Sequence, residues 1–105
     1  MPYSKDGLKR AIERNRRFVR EVKTAGACAD CGGTFHHCQM DFDHRPGETK
    51  SFELSDVKKQ SLDRIRREIR KCDLVCANCH RMRTWDRAEA SDVARELEYN
   101  TLLRF

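Results

Sequence analysis

Two pairs of cysteines constrain this chain more than any other feature. Cys28 and Cys31 form one C-x2-C, Cys76 and Cys79 form a second, and 44 residues lie between them. Each C-x2-C turn sets two soft sulfurs on one side of an ion, and two such turns complete the tetrahedron that Zn²⁺ prefers. Four sulfur ligands leave no open position, so the expected ion is structural. The separation is longer than in compact zinc ribbons, so the ion would clip two distant parts of the chain and organise the whole fold. A redox C-x2-C needs a βαβ context, which this pattern lacks, and leaves the second pair unexplained.

Composition shows why a staple is needed. The chain has 105 residues, 38% hydrophobic and 37% charged, which is enough for one domain with a modest core. No apolar run reaches the length of a membrane span. The opening Met1-Pro2-Tyr3-Ser4-Lys5-Asp6 has no signal-type apolar segment, so a reducing cytoplasm is expected, where cysteines bind metal more often than they pair. Of the two remaining cysteines, Cys38 falls on the apolar side of an expected strand and reads as a buried thiol. Cys72 reads as a packed thiol or a competing ligand.

The net charge of +5 is concentrated. Residues 1–24 hold eight Lys/Arg against Asp6, Glu13 and Glu21, whereas residues 25–105 balance. Such a segment fits a polyanionic partner, or simply a solvated helix face.

Leu8, Ala11, Ile12, Phe18, Val19 and Val22 fall on one side of a helix expected from Gly7 to about Lys23, capped by Asp6 or Ser4. Residues 28–33 should form a tight loop whose glycines allow positive φ and turn amides toward the sulfurs. A strand is expected over residues 35–44, with Cys38, Met40 and Phe42 on one face and Gln39, Asp41 and Asp43 on the other. Arg45-Pro46-Gly47-Glu48 should turn. A helical turn capped by Ser55 is expected over Leu54–Lys59, and a helix carrying Leu62, Ile65 and Ile69 after Ser61. Asp73-Leu74-Val75 suggests a second strand. A helix should run from Cys79 to about Ala88, and another, with Val93, Leu97 and Leu103 on one side, should start at Ser91-Asp92. The expected organisation is a basic arm at 1–25, a core at 26–88 and a terminal helix at 89–105.

The cysteine pairs also bring chemistry together. Asp43-His44 ends the first strand, and His80 follows Cys79 directly. Neighbours on a strand point to opposite faces, so Asp43 and His44 should divide the labour. Asp43 offers a hard oxygen to a metal, His44 handles protons, and His80 completes the metal site. His36 and His37 have no matching partner and read as ordinary surface residues.

Here the strings become specific. Met-Asp-Phe-Asp-His-Arg-Pro-Gly-Glu-Thr-Lys (40–50) and Glu-Ile-Arg-Lys-Cys-Asp-Leu-Val-Cys-Ala-Asn-Cys-His-Arg-Met-Arg-Thr (68–84) resemble the HNH nuclease family. The likeness spans about residues 27–85 and is closest to the zinc-containing branch of bacteria and their phages. It implies a small α+β fold with a ββα-metal core, structural Zn²⁺, and hydrolysis of DNA, most of all double-stranded DNA, with Mg²⁺ or Mn²⁺. By the same likeness His44 matches the general base, and Asp43 and His80 match the metal ligands. Many members carry a middle Asn nine residues before the final His, where this chain has Lys71. Asn78 is the nearby alternative; it would orient His44 or a ligand, or else brace the knuckle. A backbone carbonyl is another candidate to fix the His44 ring. Arg45, Arg81 and Arg83 are candidates for gripping phosphates. A non-catalytic zinc-stabilised DNA-binding module and a helix-mediated assembly factor are the competing readings, and a dimer is left open.

Overall fold

The structure, a computed structural model, describes the backbone of residues 4–103 and the side chains of residues 4–99. The expectations for Met1–Tyr3 and for the Leu103 side chain lie outside these. The described chain is α+β, with helix α1 (Lys5–Ala25), strand β1 (Met40–His44), helix α2 (Leu62–Ile69), strand β2 (Cys72–Cys76) and helix α3 (Ala77–Leu103). A 3-10 turn, His37–Gln39, precedes β1.

Capping defines where α1 and α2 begin. The Ser4 hydroxyl accepts the Gly7 amide, and the Ser61 hydroxyl accepts that of Arg64. Helix α1 is no detached arm. Val19 joins Leu54, Val57 and Ile65 in one apolar cluster, flanked by Phe18, Phe42 and Phe52. Asn15, 1% exposed, donates to the carbonyls of Val57 (2.8 Å) and Gln60 (2.7 Å) and so latches that loop onto the helix. A second cluster joins Cys28, Met40, Val75 and Cys76.

The strands pair antiparallel, with Met40 opposite Cys76, Asp43 opposite Asp73 and His44 opposite Cys72. Direct partners share a face. One face therefore carries Asp41, Asp43 and Asp73 toward α3, and the other carries His44 and Cys72 toward α2. The turn after β1 forms as expected, with Gly47 at φ +89° and the Glu48 amide on the Arg45 carbonyl.

Four local expectations are corrected. The strand is shorter than 35–44, because the His36 ring caps the 3-10 turn by accepting the Cys38 amide at 3.1 Å. That turn leaves Cys38 exposed rather than buried. Residues 54–59 make two successive turns instead of a helical one. Helix α3 runs without a break through 88–91, where two helices were expected. Ser91 donates its hydroxyl back to the Arg87 carbonyl at 3.1 Å instead of capping a new helix. Among the described residues no helix is long and apolar enough to cross a membrane.

Candidate functional site

Cys28 and Cys31 sit in a tight loop closed by Gly32 at φ +74°, where a side chain would be strained, with the Gly32 amide on the Cys28 carbonyl. Cys76 ends β2 and Cys79 lies in the first turn of α3. Their four Sγ atoms all lie within 4.8 Å of one another, Cys31 and Cys76 at 4.0 Å. A tetrahedral ion with Zn–S bonds of about 2.3 Å needs sulfurs about 3.8 Å apart, so the set fits an ion such as Zn²⁺. Amides already face the sulfurs: those of Cys31 (3.5 Å) and Cys76 (3.3 Å) donate to Cys28, and that of Cys79 (3.4 Å) donates to Cys76.

Burial works to raise the Cys28 thiol, but the amides of Cys31, Cys76 and Asp30 outweigh it and bring it down to about 6. The Cys76 thiol and burial push Cys79 up to about 12. Four thiolates this close repel one another and need a cation to ionise together. Cys72 stands outside the cluster, with its thiol on the Glu68 carbonyl at 3.5 Å, so it is packed and does not compete as a ligand.

Beside this centre lies an acidic face. His80 Nδ1 is 3.0 Å from Asp41 Oδ2, and its Nε2 is 3.9 Å from Asp43 Oδ1. Asp43 is 7% exposed at its side chain and is gripped by Arg87 through both oxygens (3.1 and 2.7 Å) and by Arg83 (2.8 Å). The Arg87 guanidinium, outweighing burial with help from Arg83, holds the Asp43 carboxyl down at about 2. Arg83 also chelates Asp30 and reaches Asp73.

On the opposite sheet face, His44 Nε2 meets Glu68 Oε2 at 2.7 Å. Glu68 is only 2% exposed. Burial works to raise its carboxyl, but contacts from His44, Lys71 and the Ser51 amide bring it down to about 2. A cleft of about 230 Å³ along β1 takes its lining from both sheet faces, with Asp41 and His80 from one and His44 from the other, together with Lys23, Lys50 and Glu53. A larger groove of about 730 Å³ between α1 and the start of α2 contains none of these histidines or aspartates.

The structure thus gathers the four cysteines, and it brings His44 and His80 to one cleft. Asp43 lies near His80 but is absorbed by two arginines. Asn78 is exposed and makes no hydrogen bond among the described residues, so it orients neither His44 nor the knuckle. The partner of the His44 ring is a carboxylate, not a backbone carbonyl. Lys71 binds that carboxylate at 3.0 Å rather than the imidazole. Arg45 is bound to the carbonyls of Cys72 and Arg70 and, with Arg83, is engaged within the protein, whereas Arg81 stays exposed.

Sequence reasoning missed Asp41, Glu68 and Arg87. The alternation that placed Asp41 on the face of Asp43 was a usable signal for the first. Pairing of α2 with β1 carries no local signal for the second. Arg87 lies four residues beyond Arg83, one helical turn along, which becomes informative only once α3 is known to cross the sheet.

No family model matches this chain, and neither a curated protein nor a solved structure does.

Proposed function

We propose that this chain is a divalent-metal-dependent endonuclease that hydrolyses DNA phosphodiester bonds, with a structural Zn²⁺ at its four cysteines, working in the reducing cytoplasm that keeps those thiols free. The observation that carries this reading is the convergence of His44, His80 and Asp41 on one cleft. An imidazole with a nitrogen free to take a proton, beside an oxygen–nitrogen pair suited to a hard cation, is the minimum set for hydrolysing a phosphodiester. The antiparallel pair β1 and β2 followed directly by α3, and the HNH-like strings that supply these residues, support it further.

Cis ligands of an octahedral ion with bonds of about 2.1 Å lie about 3.0 Å apart. Asp41 Oδ2 and His80 Nδ1, hydrogen-bonded at 3.0 Å, have a separation of that size and could act as cis ligands to Mg²⁺ or Mn²⁺ once the proton they share has left. The likeness gives this role to Asp43, whose oxygens would first have to leave Arg83 and Arg87. Bound there, the ion would stabilise charge on the phosphate and on the departing oxygen. His44 takes the proton of the attacking water through the ring nitrogen that Glu68 does not occupy. The water oxygen bonds to phosphorus as the bond to the 3′ oxygen breaks, and the 3′ oxygen takes a proton from solvent. The ends are 5′-phosphate and 3′-hydroxyl. Lys23 and Lys50 line the cleft and can pair with substrate phosphates, as can exposed Arg81.

Supercoiled plasmid incubated with the zinc-loaded protein should be nicked or linearised when Mg²⁺ or Mn²⁺ is added and remain intact without them. One observation favours a non-catalytic, zinc-stabilised DNA-binding module instead, namely the neutralisation of Asp43 by two arginines. Tight DNA binding with an intact plasmid under every metal condition would select that alternative.

A further inference from the structure

We infer that Glu68 is the positioning residue for His44, accepting its Nε2 proton so that Nδ1 is the nitrogen left with a free lone pair. This inference rests on the hydrolase reading and says how its base is prepared. Glu68 sits on α2 and His44 at the end of β1, and only tertiary packing brings them to 2.7 Å. A carboxylate buried to 2% exposure is costly unless paired and hydrogen-bonded.

Each contact to Glu68 is held from a different element. The Ser51 amide donates to Oε2 at 3.1 Å, and the Lys71 ammonium meets Oε1 at 3.0 Å. Lys71 is itself fixed by the Thr49 carbonyl at 2.8 Å and the Ser51 hydroxyl at 3.0 Å. Lys71 alone would serve to neutralise Glu68. The imidazole is an additional partner, and it binds the oxygen that Lys71 leaves open. An ionised carboxylate only accepts hydrogen bonds, so the ring hydrogen must sit on Nε2. A general base oriented by a third group follows the logic of nucleophile–base–orienter arrays, in which the third group fixes the tautomer and keeps its own charge. Among the described residues His44 Nδ1 has no protein partner, which leaves it available to a water.

The test reads the tautomer and the kinetics together. In protein with ¹⁵N-labelled histidine, with full zinc content and at a pH where His44 is neutral, its ring should show Nε2–H alone. Glu68→Gln keeps the shape but can donate as well as accept, so both tautomers should then appear. Its kcat on plasmid should fall on the order of 10–100-fold, the usual cost of losing the partner that orients an imidazole. KM, zinc content and Mn²⁺ affinity should stay within about twofold, since binding is not what Glu68 supplies. An Nδ1–H tautomer in the wild type needs no variant to overturn the inference. A Glu68→Gln protein with an unchanged tautomer or an unchanged kcat overturns it as well, while leaving the hydrolase reading intact. A wild type that never cuts overturns both.

Discussion

Asp41 and Asp43 lie two residues apart on one face of β1, yet their surroundings give them different work. Asp41 is 42% exposed at its side chain and, among the described residues, meets His80 alone, whereas Asp43 is enclosed by Arg83 and Arg87. Asp41→Asn should therefore weaken Mn²⁺ binding, followed by electron paramagnetic resonance, by on the order of tenfold with little change in melting temperature. Asp43→Asn should instead cost on the order of 2 kcal/mol of stability, because it weakens the charge-assisted hydrogen bonds that Arg83 and Arg87 make to a buried carboxylate. A greater loss of Mn²⁺ affinity in Asp43→Asn would return the ligand role to Asp43.

Glu68 gives a pH signature of the same kind. Its carboxyl falls from an ordinary 4.5 to about 2 in the folded state, so its ionised form favours folding. That contribution is complete above about pH 5 and is lost as pH falls toward 2. The stability gap between wild type and Glu68→Gln, from denaturant melts, should be widest at pH 7, narrow as pH falls below about 4.5 and close only as pH passes below about 2. A gap that does not narrow between pH 7 and pH 2 would mean that Glu68 acts through shape, not charge. At this scale the four-cysteine cluster was legible because its spacing is local, whereas the adjacency of Asp43 to His44 and of Cys79 to His80 marked those residues without fixing what they do. Glu68 was not, because nothing near it in sequence says that α2 will pack behind β1.

Helix α1 shows how charge and packing share one element. Its concentrated positive charge marks it as a basic arm, but Val19 and Asn15 tie it to the core and to the 57–60 loop. Deleting it would confuse DNA contact with unfolding. Replacing exposed Arg16 and Arg20 by Gln avoids that problem. If both meet phosphates, the slope of log K against log salt should shrink by about 0.9 for each, with the melting temperature unchanged. An unchanged slope would make the basic face a solvated surface. The helix periodicity and the Ser4 and Ser61 caps were readable in advance. The join at 88–91 was not, because Ser91 can either cap a helix or bond back within one, and only the continuous backbone decides.

The whole molecule is 68 × 34 × 18 Å in extent, long because α3 runs on beyond the sheet. Residues 84–99 of that helix are exposed. Two small apolar clusters make up the core, and the four cysteines tie the 28–33 loop to the junction of β2 and α3. A fold this thin should depend on its ion. Elemental analysis should find about one zinc per chain, and Cys79→Ser, or a strong chelator, should abolish the cooperative melt. A chelated protein that melts as before would make the cluster dispensable. The joining of the 28–33 loop to the junction of β2 and α3 was legible in the paired C-x2-C spacing, whereas the internal engagement of Asp43 by α3 depends on a crossing that no local pattern encodes.

The central claim is that His44 acts as a base in a metal-dependent cleft, and it meets its most direct test in one comparison. Wild type and His44→Ala, matched for zinc content and DNA affinity, are assayed on supercoiled plasmid across a Mg²⁺ and Mn²⁺ series. The account predicts cutting by the wild type and at least a 100-fold loss in His44→Ala, the lower end for removing a general base, that no metal concentration restores. Cutting by His44→Ala at the wild-type rate, or its full rescue by Mn²⁺, would contradict the account.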